Sequence, residues 1–357
     1  MALYDIKIYV QNNWLLPIVH KHPKLADLYY FLFSSDFSRE HQKVLKGKYM
    51  HLQALKEKKP NAFHLRRQVH RIEKGLIMKN RRSVFARDYI GDTVKNYEVL
   101  SNHVAAGGDI DTELLKWASN VLQAYFDAVD TSHAEIKPAY EQFQAIQHKI
   151  DFNPKQIDYV PYKRIQGTKS NVSYEDFLKL TQQRRSVRYF QQKEVPYELI
   201  EKAVSAATYS PSACNRQPFE FRIFTDEQMK NLVGAIPMGI RPFYQNIPVM
   251  ILLVGKLSAY LSERDRHVIY LDGGLFSMSF VLALETLGLS SVTINWPDIE
   301  YLEQKMENLI GVADDERVLM CIGVGFADPE GGIPFSQKKT PDQLLKRNII
   351  RDANAGA

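Results

Sequence analysis

The chain has 357 residues, 45% apolar and 24% charged, the balance of an ordinary soluble globular protein with room for two cores. The best apolar run, residues 248–255, is far short of the roughly 20 residues that cross a bilayer, and the first residues lack the basic start and apolar core of a leader. No membrane span and a reducing cytoplasm are therefore the expectation, and two cysteines, Cys214 and Cys321, give neither a disulfide framework nor a metal spacing.

Charge and histidine divide the chain. Residues 1–170 hold 26 Lys/Arg against 18 Asp/Glu, a net +8, leaving 20 against 23, a net −3, for the rest. The excess is concentrated in residues 39–95, with 16 basic against 5 acidic residues, and nine of the ten histidines precede residue 150. Two units with separate compositions are expected.

In chain order, residues 24–33 form an aromatic-rich amphipathic stretch and residues 37–55 a run of helix formers. Residues 61–78 place Leu65, Val69, Ile72 and Leu76 at helical spacing, residues 112–129 do the same with Leu115, Ala118, Leu122 and Phe126, and residues 133–150 form a helix interrupted early by Pro138. Residues 1–150 thus read as a helical, basic N-terminal domain, and residues 151–170, with Pro154, Pro161 and Gly167 and no period, as a linker. From 171 to 357 helix and strand alternate. Helices are expected at 174–183, 197–208, 265–287 and 300–310, and strands at 219–224, 249–253, 291–294 and 318–324. This is an α+β layout, a mixed sheet wrapped by helices and preceded by an all-α domain.

Chemistry concentrates in Arg184-Arg185-Ser186-Val187-Arg188 and in Pro211-Ser212-Ala213-Cys214-Asn215-Arg216-Gln217-Pro218. Guanidinium forks match phosphate oxygens and a hydroxyl adds a donor, while the second stretch breaks any helix and offers amide groups to a heteroaromatic edge. A solvated basic helix end is the plain alternative for the first. Together they suit a flavin mononucleotide.

Six signals in this order resemble the FMN-dependent nitroreductase family. They are the Arg-Arg-Ser-x-Arg opening, Ser210-Pro211-Ser212 through Gln217-Pro218, Asp272-Gly273-Gly274 on a long helix, Leu287-Gly288-Leu289, Asn295-Trp296, and the strand 318–325. The resemblance covers residues 174–347. It implies that Arg184 and Ser186 hold the FMN phosphate with Arg185 beside them, and that Arg188 reaches toward the flavin N1 and C2 carbonyl. It implies that Pro211, Ser212 and Asn215 close the site of a second subunit, with Gln217 fitting the same motif. Ile294, Asn295 and Trp296 match the loop whose backbone N–H faces N5, and Lys338 and Lys339 complete the phosphate site. Arg188, Asn295 and Trp296 are the catalytic candidates. The plain alternatives are a surface charge for Arg188, a core aromatic for Trp296, loop packing for Gln217 and solvated charges for the two lysines. The chain departs from the family at Met278-Ser279, where Gln-Asn is usual.

The activity implied is hydride transfer from NADH or NADPH to FMN and on to a small-molecule acceptor, by ping-pong, in a homodimer embraced by the tail 340–357. The rival is an anion-binding protein, taking nucleic acid, acidic glycan or lipid on the basic segment with Tyr49, Phe63, Phe85 and Tyr89 interleaved and the flavin fold as a dimerising scaffold.

Overall fold

A computed structural model describes residues 14–146 and 159–348 of the chain. Residues 151–158 of the expected linker, the end of the expected helix 133–150 and the tail beyond residue 348 lie outside the described residues.

The helical periodicity of the first half becomes helices Pro23–Phe33, Ser38–Lys56, Ala62–Leu76 and Thr112–Phe126. Asn61 starts the third by accepting the backbone N–H of His64 at 2.9 Å, and Asp111 starts the fourth by accepting that of Glu113 at 3.0 Å. Leu65, Val69 and Ile72 are fully buried in one core with Leu115, Ala118 and Leu122. The helix expected from residue 133 begins only at Lys137, because Pro138 fits a first turn, where its missing N–H is no loss. Helix Ile90–Ala105 is among those absent from the sequence reading, as is Glu227–Gly234 in the second half. In Ile90–Ala105 the cause is visible. Its buried face mixes Ile90, Val94, Tyr97 and Leu100 with Thr93, Asn96 and Ser101, so no clean apolar stripe marks it.

The second half is built on four strands, β1 (Phe219–Phe224), β2 (Val249–Lys256), β3 (Ser290–Asn295) and β4 (Glu316–Gly325), in the order β1-β2-β4-β3. All neighbours pair antiparallel, with Phe221 opposite Leu253, Leu252 opposite Cys321 and Thr293 opposite Ile322. The sheet becomes mixed at its β3 edge, where Ser186 bridges Ser291 in parallel. As expected, β2 is buried on both faces. Val249, Ile251 and Leu253 meet Phe276, Phe280 and Leu284 of the long helix Val268–Thr286, while Met250, Leu252 and Val254 meet Val233, Leu302 and Met306 on the other side.

By length and composition the long helix is apolar enough to cross a membrane, although Asp272 and Glu285 interrupt its apolar run. Its inner face is core, for Ile269, Phe276, Phe280 and Leu284 pack against the sheet. Leu271, Leu275 and Met278 lie exposed on its outer face.

Helix Ser38–Lys56 does not join the helical core but straps the sheet half. Its buried residues are Lys43, Gly47 and His51, four apart and polar or small. A Cβ on Gly47 would stand 2.6 Å from the backbone carbon of Leu257, so only glycine admits this approach. Arg39 forks onto Glu300 at 2.6 and 2.7 Å and reaches Glu307 at 2.6 Å. Lys43 pairs with Glu307 at 2.8 Å, Lys46 with Asp314 at 2.8 Å and Lys48 with Glu263 at 2.7 Å, while the His51 ring bonds the Ser258 carbonyl at 2.8 Å. The basic excess of the first half is met here by acids of the second.

Candidate functional site: an arginine clamp at a sheet edge

Helix Tyr174–Gln183 opens with the Ser173 hydroxyl accepting the backbone N–H of Asp176 and stops at Arg184, whose backbone is extended. The chain then runs along the sheet edge. The Val187 N–H donates to the Ser291 carbonyl at 3.0 Å, and Phe190 bridges Ala327 just past β4. Asn246 locks the end of the run, accepting the Phe190 N–H at 2.6 Å and donating its amide to the Phe190 carbonyl at 3.2 Å. A Cβ on Gly325 would meet Phe190 at 2.8 Å. Gly325 thus lets the strand pack closely beneath the end of the clamp run.

Arg184, Arg185, Ser186 and Arg188 line one cavity of about 400 Å³ with Leu178, Thr181 and Lys338. Among the described residues the Arg184 Nε is buried without a hydrogen-bond partner, and the hydrogen bond of Arg188 there is a 3.3 Å donation to the Ser186 carbonyl. Such guanidinium donors, left unmatched by protein, are what an anionic oxygen completes. Arg185 has another task. It donates to the carbonyls of Pro334 and Phe335 and so holds that segment against the clamp, which carries Lys338 into the cavity. Lys339 is exposed and does not line it.

Glu285, which sequence reasoning missed, stands behind the clamp. One of its oxygens accepts from Gln183 at 3.3 Å, the other is buried without a partner among the described residues, and burial raises its pKa above the usual carboxyl value while Gln183, Ser290 and Arg184 oppose the rise. No local pattern marks it, because it lies a hundred residues from the clamp.

The other expected residues do not line this cavity. Ile294 is buried and Asn295 exposed at the end of β3. Trp296 is a core residue, and its indole N–H donates to Glu303 at 3.1 Å, which in turn pairs with buried Arg317 at 2.6 Å. The amide-rich loop is also separate. Asn215 borders a second cavity of about 490 Å³ between the helical half and residues 159–162, and Gln217 borders a third beside β1. That loop is stiffly held. The Ala213 N–H donates to Asp272 at 2.9 Å, the Gln217 amide donates to Asn215 at 2.8 Å, and buried Arg216 reaches Asp265 at 3.4 Å. Cys214, Asn215 and Gln217 adopt φ of 55°, 53° and 50°, costly for side-chain residues and maintained by these contacts. Within one chain, clamp and loop are not brought together.

The sheet wrapped by helices, with an arginine-rich run along its edge, is an α+β architecture. The nitroreductase family model matches residues 181–240 and 235–326. A Methanothermobacter thermautotrophicus protein with the provisional name NADH dehydrogenase/NAD(P)H nitroreductase is 31% identical over 166 residues, 46% of this chain and 76% of that protein. Iodotyrosine deiodinase 1 of Mus musculus is 23% identical over 219 residues, 53% of this chain and 76% of that protein. Among solved structures, an FMN-dependent nitroreductase from Clostridium difficile aligns at 21% identity and TM-score 0.39, covering 50% of this chain and 99% of that one. The chain belongs to the nitroreductase family.

Proposed function

We propose that the protein is an FMN-dependent NAD(P)H oxidoreductase that acts as a homodimer. The observation that carries this reading is the convergence of Arg184, Ser186, Arg188 and Lys338 on one cavity in which the Arg184 Nε is buried and unpartnered. Arg184, Ser186 and Lys338 hold the terminal phosphate, with Arg185 fixing the wall that bears Lys338. Arg188 would supply a cation beside the flavin ring, and the backbone at Ile294 and Asn295, outside the clamp cavity, would serve the hydride-exchanging side of that ring. Trp296 acts from behind, pinned by Glu303, by fixing the course of that loop. The chemistry that bound FMN supplies is two-electron hydride exchange, from NADH or NADPH and on to a small-molecule acceptor in a ping-pong cycle. Pro211, Ser212, Asn215 and Gln217, held apart from their own clamp, close the site of the other subunit. Arg188 and Asn295 are the groups assigned to the reacting ring.

The rival anion-binding reading loses support from the strap. Arg39, Lys43, Lys46 and Lys48 are engaged by carboxylates. Phe63 and Phe85 pack on cores, and Tyr89 lies beneath Arg71 at 3.6 Å.

Purified protein is expected to be yellow and to release FMN, not FAD, on heating. Arg184→Ala weakens FMN binding roughly 30-fold or more, as for loss of one partner in a desolvated charge pair. Full FMN occupancy in that variant, or FAD in the native protein, overturns the assignment. The acceptor is identified by screening nitroaromatics, quinones and halogenated phenols.

A further inference from the structure

Helix Ala62–Leu76 of the helical half packs against the turn Ala213–Asn215 of the amide-rich loop. Beside that contact lies the cavity of about 490 Å³ that Asn215 borders, walled by this helix, by helix Thr112–Phe126 and by residues 159–162. Its volume is in the range of small-molecule sites.

The wall is aromatic, and its rings are fixed. The Trp117 indole N–H donates to Glu73 at 2.9 Å, and the Tyr159 hydroxyl donates to Glu113 at 2.6 Å. With the polar end of each side chain tied to a carboxylate, the part left for a ligand is ring surface already held in place, so little rotamer freedom is lost on stacking. Tyr159 is held a second time by Lys116, whose ammonium stands 4.7 Å from the ring centroid while the residue lies buried outside the cavity lining.

Charge decides which ring fits. Arg66 and Asp111 both line the cavity, 3.4 Å apart, and offset each other. Glu73 and Glu113 line it too, and the indole and hydroxyl that bond them are neutral donors, which leave the negative charge in place. His70, 3.3 Å from the second Glu73 oxygen, adds charge only when protonated. Even with Lys116 counted, the three carboxylates Glu73, Asp111 and Glu113 outnumber the two cations, a net −1. Such a surface repels the diphosphate of a nicotinamide dinucleotide and any anionic acceptor, whereas a neutral or positive ring stacks on Trp117 and Tyr159 without that repulsion.

We propose that this cavity is the outer subsite for the electron acceptor, through which the helical half selects planar aromatic compounds that are neutral or cationic and discriminates against anionic ones. The inference rests on the reading above that Asn215 and its loop close the flavin site of the other subunit, and it names what that site admits.

Steady-state kinetics of the holoenzyme test it, at about pH 8, where an ordinary histidine is uncharged. The probes are p-nitrotoluene, p-nitrobenzoate and p-nitrobenzyl trimethylammonium. Reduction of each nitro group to nitroso consumes one NAD(P)H and one proton and releases water. In a ping-pong cycle kcat/KM for the acceptor reports the oxidative step and kcat/KM for NAD(P)H the reductive one, so the two are read separately. Trp117→Ala is expected to lower kcat/KM for p-nitrotoluene at least tenfold with a smaller loss for NAD(P)H, and Trp117→Phe to restore most of it. Glu73→Gln combined with Glu113→Gln keeps an accepting oxygen for Trp117 and Tyr159 but removes both charges. That variant is expected to lower the kcat/KM ratio of the cationic over the anionic probe at least tenfold, and comparing the ratio with wild type cancels the probes' own reactivities. An unchanged ratio, or equal losses for donor and acceptor in Trp117→Ala, overturns the subsite while leaving the flavin enzyme standing. Protein purified without flavin, or a monomer that turns over, removes the dimer reading and the subsite with it.

Discussion

Arg188 carries the sharpest residue-scale consequence of the proposal. Its guanidinium has one long hydrogen bond, to the Ser186 carbonyl, and lies 5.8 Å from the Phe243 ring centroid, so its charge is barely engaged by protein. A cation facing the pyrimidine edge favours the more negative, reduced form of the cofactor. An ion interaction worth about 1.5 to 3 kcal/mol corresponds to roughly 30 to 60 mV in a two-electron couple. Arg188→Gln is therefore expected to retain FMN yet lower the midpoint potential by that amount, with Arg188→Lys between, in a spectroelectrochemical titration. Equal potentials with intact flavin would remove Arg188 from the ring. Glu285 gives a pH signature. Burial raises its carboxyl pKa in the fold, so the folded state holds the proton to higher pH than the unfolded chain does. Its ionisation costs stability as pH rises through the unfolded value toward the folded one, and below both values there is no cost. Glu285→Gln should therefore stabilise the apoprotein at neutral pH, with a gain in Tm that shrinks toward zero as the pH is lowered to about 4. A gain independent of pH would show that the buried oxygen is ionised at no cost.

At the scale of elements, the strap helix Ser38–Lys56 binds two halves of opposite charge. Arg39 is largely buried, but its partner Glu300 is half-exposed, so the pair lies between the ~1 kcal/mol of surface pairs and the 3 to 5 kcal/mol of buried ones. Arg39→Ala should cost about 1 to 3 kcal/mol in urea unfolding, and wild type should lose much of that advantage in high salt. A midpoint unchanged by the substitution at low salt would mean that the strap is held by packing alone. The same helix bears on domain organisation. We propose that residues 151–170 are the boundary between the helical and sheet units, with the strap crossing it; limited proteolysis that cuts there and leaves the two fragments associated is the expected result. Trp296 belongs to this scale too. Its indole is fixed by Glu303 on helix Glu300–Ile310, the helix that also carries Glu300 and Glu307 to meet Arg39, so the strap and the loop at the end of β3 share one support.

At the scale of the whole molecule, the net +8 and net −3 halves are complementary surfaces of one chain. Composition displays the imbalance but not its destination, because a basic residue facing a carboxylate 261 positions away has the same local sequence as one facing a phosphate. The elements legible in the sequence were those marked by the spacing of their apolar residues. Helix Tyr174–Gln183, helix Glu300–Ile310 and strand Phe219–Phe224 fall where the apolar spacing puts them. Helix Ile90–Ala105 escaped because its buried face is half polar, and helix Ser38–Lys56 was visible as a helix while the direction of its faces was not, since Lys43, Gly47 and His51 turn inward only when the sheet half supplies partners. The clamp likewise was legible as a string of donors. Its sequence alone determined which residues carry the charge, by the chemistry of guanidinium and hydroxyl groups. Only the tertiary structure decided that Arg185 is spent on the carbonyls of Pro334 and Phe335, that Lys338 joins the cavity and Lys339 does not, and that the amide-rich loop stands away from its own clamp, because those outcomes depend on contacts between segments 49 to 150 residues apart.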